Sequence, residues 1–151
     1  MSDTKEFLLS TPALLRTLDP NQRPVWGIMT PQHLVEHIVG AWRISNGRAQ
    51  VKCIFEGEEL AKRRAFIFSD APYPKNITNP VTGDGLPKLR KPSLEAAIAQ
   101  LEDEMSVFFE YHETNPGSIE IHPVFGDLTA DQWIHFQERH MRHHLMQFEL
   151  V

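Results

Sequence analysis

From Ser69 to Pro92 the chain carries five prolines and two glycines, and no regular element survives for long in such a stretch. It splits the sequence into two parts, and both read as helix. In TPALLRTL, Thr11 is placed to cap a helix with Pro12 at its first position, where a missing N–H costs nothing. The same grammar recurs in MTPQHLVEHIVGAWRISNG, with Thr30 as cap, Pro31 opening the helix and Gly47 near its end. A short helix is expected over Gly57 to Ala65. Beyond the proline-rich stretch, Ser93 caps a long helix whose Leu94, Ala97, Ile98, Leu101, Met105 and Phe108 follow the i, i+3, i+4, i+7 rule. It is expected to end between Tyr111 and Thr114, before the turn at Asn115, Pro116 and Gly117. In TADQ, Thr129 and Gln132 form a capping box for a last helix running nearly to Val151. Ser118 to Ile121 reads as a brief extended piece with no evident hairpin partner. Four amphipathic helices with one long irregular crossover predict an all-α four-helix bundle, with crossings of about 18–20°. At 151 residues the whole chain, 1–151, is expected to form one domain. A crossover this long is uncommon unless functional, and a lid is the natural reading.

Charge and composition narrow the function. Fifteen Lys and Arg against twenty Asp and Glu leave a net charge of −5, which opposes the long-range attraction that nucleic-acid binding needs. The basic string ERHMRHH shares its helix with apolar residues and Glu138, lacks an exposed aromatic platform and reads as a solvated face. A single Cys53 can form neither an intramolecular disulfide nor a CxxC zinc site, which suits a reducing compartment. The first twenty residues have no long apolar core, and nothing approaches ~18 consecutive apolar residues. The expectation is a cytoplasmic protein that neither enters a membrane nor binds nucleic acid.

Eight histidines are the compositional excess that carries chemistry, since imidazole titrates near neutrality and ligates metals. Helix phase sorts them. With His140 at zero on the last helix, His144 lies about 40° away, Trp133 about 20° and Phe136 about 40° to the other side. Both histidines therefore fall on the buried stripe with Met141, Leu145 and Phe148, while His135 and His143 fall opposite and read as solvated. Two imidazoles one turn apart on an apolar face need partners for their nitrogens. A shared metal supplies them, and so do hydrogen bonds to neighbouring helices. On the second helix His37 shares its side with Leu34 and Ala41 and also faces inward. Three histidines from two helices with one open position match the pattern of catalytic zinc sites. HLVEH also reads as the HxxEH string of inverzincin proteases, but Glu36 lies about 100° from His37, toward Gln32 and Arg43. His33, in the first helical turn, reads as half-exposed or as a supporting group behind a ligand.

The spacing of TPQHLVEHI and HMRHHLMQ, with His37, His140, His144 and Gln147 in register, resembles the DinB-like (DinB/YfiT) superfamily of metal-binding four-helix bundles. More narrowly, WGIMTPQHLVEH and HPVFGDLTADQWIHFQERHMRHHLMQF look like an uncharacterised subfamily of it. The resemblance implies an up-down-down-up bundle holding a divalent metal, usually zinc or nickel, through His37, His140 and His144. Members of known activity, such as mycothiol-dependent maleylpyruvate isomerase and bacillithiol S-transferases, act on low-molecular-weight thiols or their adducts, and a homodimer is the association the resemblance suggests. The crossover from Ser69 to Pro92 matches nothing in those enzymes, so their substrates do not transfer.

Two functions follow as expectations. One is a metal-dependent enzyme acting by hydrolysis or thiol S-transfer on a small molecule; the other is a non-catalytic or stress-associated protein that binds a metal or small ligand. In HPVFG, Pro123 fixes the backbone and Phe125 reads as a plug beneath the bundle, while His122 is the candidate acid/base or substrate contact. Lys75 and Asn76 in YPKN are candidates for binding an anionic substrate group. His112, in phase with the apolar stripe of its helix, reads as a satisfied core histidine.

Overall fold

The computed structural model describes residues 2–75 and 85–151. Five helices and one hairpin follow in the order α1 (Ser2–Leu15), α2 (Pro31–Ser45), α3 (Gly57–Ile67), α4 (Leu94–Thr114), β1 (Ile119–His122), β2 (Gly126–Thr129) and α5 (Ala130–Met146). Helix α1 packs on α4 and α5, and α2 packs on the same two, so the four long helices close a ring in the order α1, α4, α2, α5. The expected apolar stripes meet inside it. All six stripe residues of α4 are buried, as are Trp133, Met141, Leu145 and Phe148 near the end of the chain. Trp42 and Phe108 meet edge to face at 5.2 Å in the middle of the ring, a preferred aromatic geometry. Among the described residues, no helix is long and apolar enough to cross a membrane.

The caps act as the sequence dictates. Thr30 accepts the His33 N–H, Ser93 accepts the Ala96 N–H, and Thr129 and Gln132 complete the reciprocal capping box. Helix α5 stops at Met146, short of the expected end, because the chain folds back there. Glu149 adopts a left-handed conformation (φ 56°), and the Leu150 N–H bonds the Leu145 carbonyl at 3.0 Å, a Schellman-type closure.

Two expectations are corrected. Helix α1 does not start at Pro12 but runs from Ser2 with Pro12 inside it. Proline deprives the Leu8 carbonyl of its usual i+4 donor, and the Thr11 hydroxyl donates to that oxygen instead, at 2.6 Å. The residue read as a cap is therefore the repair for an internal proline. The extended piece after α4 does have a hairpin partner. Strand β1 pairs antiparallel with β2, His122 opposite Gly126, across a three-residue loop that ends on Gly126 at φ 73°, where glycine is favoured. The partner strand is hidden in the sequence because it runs straight into the α5 capping box.

Helix α3 lies outside the ring and supports the hairpin: the Arg64 guanidinium donates to the carbonyls of Phe125 (2.6 Å) and Asp127 (2.8 Å). At the opposite junction, buried Glu104 of α4 accepts from Asn46 (2.9 Å), Arg48 (3.1 Å) and Gln100 (3.3 Å), tying the end of α2 to α4.

The proline repair is open to a double-mutant test. Thr11→Val leaves the buried Leu8 carbonyl without a donor and is expected to destabilise by about 1–3 kcal/mol in urea unfolding. The same change in a Pro12→Ala background, which restores the backbone donor, is expected to cost well under half as much. Equal costs in the two backgrounds would contradict the assignment.

Candidate metal centre

Helix α2 contributes His37 and α5 contributes His140 and His144, the two α5 residues being one turn apart on its inner face. Their Nε2 atoms converge: that of His140 lies 3.1 Å from that of His37 and 3.0 Å from that of His144. Four ligands at a Zn–N distance of 2.0–2.1 Å would stand about 3.3 Å apart; the two separations to His140 are close to that edge, and all three ligand atoms lie within 4.8 Å of one another. His140 and His144 are buried and His37 half-buried. The Phe136 ring stacks on His140 at 4.9 Å.

Protonation follows from the surroundings. His144 directs Nδ1 at the Gln147 side-chain oxygen, 2.6 Å away; the amide accepts, so Nδ1 carries the proton and Nε2 a lone pair. Gln147 is held in turn by donating to the Trp26 carbonyl at 3.2 Å. Gly27 sits in the left-handed region (φ 84°), and a Cβ there would fall 2.9 Å from the Gln147 amide nitrogen and push that side chain aside. Burial pulls the His37 pKa down to about 4, with His143 assisting. It also holds His140 and His144 well below the usual histidine value, with the neighbouring imidazoles adding to the effect. All three are therefore neutral at pH 7, the ligating form. Between three neutral Nε2 atoms at these distances a proton on His140 can serve only one contact at a time, whereas a cation serves all three lone pairs. Among the described residues no further His, Cys, Asp or Glu joins the group, so the protein side of the site has three ligands. Nδ1 of His140 is buried and has no partner among the described residues.

The other candidates separate clearly. Glu36, next to His37, is committed elsewhere: it accepts from the backbone N–H groups of Arg90 (2.8 Å) and Lys91 (3.0 Å) and from the Gln32 amide (3.0 Å). Burial opposes its ionisation, but these donors and the Arg90 charge hold its pKa below the usual value. Arg139, next to His140, donates to the carbonyls of Phe66 (3.0 Å), Ile67 (2.9 Å) and Ser69 (3.0 Å) and to that of Ala71. His33 shares a 2.6 Å contact with the Thr30 hydroxyl and belongs to the α2 cap. His112 is satisfied by the Ser45 carbonyl and the Ser118 hydroxyl, as expected for a core histidine. His135 and His143, expected in solvent, are half-buried: the end of α3 and the residues up to Tyr73 cover that side of α5. His135 reaches the Ile67 carbonyl at 2.9 Å, and His143 packs against Trp26, Tyr73 and His144. Lys75 lies over the Trp26 ring at 4.5 Å; Asn76 lies outside the described residues.

His122 sits behind Phe136, 4.5 Å between ring centroids, and against Phe125 and Trp133. Phe125 is buried with it. Nδ1 of His122 accepts the Val124 N–H at 2.9 Å and the Phe125 N–H at 3.3 Å, which places the ring proton on Nε2. Burial takes its pKa down to about 3.

The fold and the convergent histidines define a class: a helical bundle with a three-imidazole cluster suited to a divalent cation. The family model of the DinB superfamily matches residues 9–148, and the chain belongs to that superfamily. A search of curated proteins and a search of solved structures each found no match.

Two measurements probe this arrangement. Gln147→Met removes the acceptor that orients His144 and is expected to weaken zinc binding about 10–100-fold in competition with a chromophoric chelator. For His122 the folded pKa lies below the ordinary 6.5, so between those values the unfolded chain binds the extra proton and stability falls as pH falls, by up to ~1.4 kcal/mol per pH unit. His122→Asn, whose amide oxygen can accept the same two N–H groups, is expected to flatten the acid limb of chelated protein between pH 6 and pH 4 by one proton's worth. An unchanged slope would remove His122 from that role.

Proposed function

We propose that the protein is a metal-dependent enzyme that uses His37, His140 and His144 to hold a divalent cation, zinc or nickel, and acts by hydrolysis or thiol S-transfer on a small molecule. The observation that carries this reading is the convergence of three neutral Nε2 atoms within 3.1 Å along the chain of contacts, with no fourth protein ligand among the described residues. Imidazole suits both metals, and three ligands leave a position for water or substrate. When bound there, the cation lowers the pKa of a coordinated water toward about 7 or holds a thiol as thiolate, and either is a nucleophile at neutral pH.

The residues around it set orientation and exclude water. Gln147 fixes His144 in the tautomer that points its lone pair inward. Phe136 and Trp133 keep the inner side of the cluster dry. His122, neutral and protonated at Nε2, is a hydrogen-bond donor in this reading and no base. A reducing, cytoplasmic location fits the free thiol of Cys53.

A second reading, a binder without turnover, has one observation in its favour: the carboxylate nearest in sequence to a ligand, Glu36, is fully occupied by Arg90, Lys91 and Gln32. That leaves any proton transfer to the coordinated water or thiol itself.

Elemental analysis of the purified protein and of His37→Ala, His140→Ala and His144→Ala decides the site. Near one equivalent of metal is expected in the parent and less than about a tenth of that in each variant. Equal metal content in all four would refute the assignment.

A further inference from the structure

A group of aromatic and basic side chains borders the outer side of His144. His143 lies 5.1 Å from His144 between ring centroids. Around it stand Tyr73 at 5.1 Å and Trp26 at 5.7 Å, and the Lys75 ammonium sits 4.5 Å above the Trp26 ring. The hydroxyl of Tyr73 and the indole N–H of Trp26 are both buried, and among the described residues neither has a hydrogen-bond partner. Native structures seldom leave such groups unpaired, and each unpaired one costs about 1–3 kcal/mol. Both are donors on side chains packed against His143, and a cation lies over one of the rings; they come from residues 24–27 before α2 and residues 71–75 after α3.

Both segments are held in place. The Val25 N–H bonds the Gln147 carbonyl at 2.7 Å, and Arg139 grips the carbonyls of Ser69 and Ala71 while lying against the Tyr73 ring at 5.0 Å. The arrangement is thus built, and its unmet donors call for an acceptor. One ammonium and two neutral donors among flat rings suit a planar singly charged group. A phosphate dianion would call for more charge and more donors.

We propose that Trp26, Tyr73 and Lys75, grouped around His143, bind the carboxylate of a small ligand whose other end reaches the cation held by His37, His140 and His144. The inference rests on the metal reading above. It makes a carboxylate-bearing compound the substrate class and these three residues its specificity determinants, acting on binding and not on the reacting bond.

The test pairs two thiols that can both ligate zinc, 3-mercaptopropionate with a carboxylate and 2-mercaptoethanol without one, in calorimetric titrations of zinc-loaded protein. The parent is expected to bind the first about tenfold more tightly, the worth of one charge-assisted hydrogen bond. Tyr73→Phe, which keeps the ring, and Lys75→Gln are each expected to bring the two thiols within about threefold while zinc content stays unchanged and the melting temperature does not fall. Equal affinities in the parent, or a preference that survives both substitutions, would overturn the carboxylate wall and leave the metal site standing. Inorganic phosphate binding more tightly than acetate would overturn the assigned ligand class. Failure of the protein to take up zinc would remove both readings together.

Discussion

The fold turns on a polar problem placed at its centre. Ring closure by four helices brings His37 of α2 against His140 and His144 of α5, so three imidazoles meet where packing alone would favour carbon. Buried nitrogens without partners cost free energy, and burial here also forbids the charged form that could bring in an anion. What remains is three neutral imidazoles whose ligand atoms gather within 4.8 Å of one another. A hydrocarbon trio at these positions would pack at least as well, so stability gives no reason for the arrangement; a cation does.

Two of the three clustered histidines, His37 and His140, are preceded by a charged residue that works in the opposite direction. Glu36, before His37, takes the backbone N–H groups of Arg90 and Lys91 where the crossover returns to α4. Arg139, before His140, takes the carbonyls of Phe66 to Ala71 where the crossover departs from α3. One helical step, about 100°, separates each inward ligand from its outward partner. The same two turns of helix therefore aim the imidazoles and pin both ends of the proline-rich connection. Both charges work mainly on backbone: the Glu36 carboxylate meets two backbone donors beside the Arg90 guanidinium at 3.6 Å, and the Arg139 guanidinium meets backbone carbonyls. Each anchors irregular chain that cannot satisfy its own groups through a helix or a sheet.

Much of this was legible in the sequence because helical phase is a strong signal. The stripes of α4 and α5, the caps at Thr30, Ser93 and Thr129, and the inward side of His37, His140 and His144 all follow from spacing and capping chemistry. The failures have a common cause, which is that phase on one helix says nothing about what another segment lays over it. His135 and His143 lie on the polar side of α5 yet are half-buried, because residues 66–75 cross that side. Glu36 has the phase of a surface residue and is buried by Arg90 and Lys91. Trp26 and Tyr73 lie in irregular segments with no period to read, and each is the single aromatic residue of its segment, WGIMTP and APYP. Thr11 misled for a different reason: hydroxyl followed by proline is the pattern both of a helix start and of an internal proline whose lost hydrogen bond a side chain replaces.

The hairpin shows how a small irregular element can serve the centre without touching it. Strand β2 delivers the chain to Thr129, which is at once the last strand residue and the cap of α5, so the rotation of α5 about its axis is set by the hairpin's register. That register places His122 under Phe136, and Phe136 is the ring stacked on His140. A slip of one residue in the strand pair would turn Leu128 from the core to solvent and rotate the start of α5 with it. Because a helix advances about 100° per residue, even part of such a rotation would carry His140 and His144 away from His37. The two-stranded hairpin, the smallest element of the fold, thus fixes the angle at which the bundle presents two of its three imidazoles.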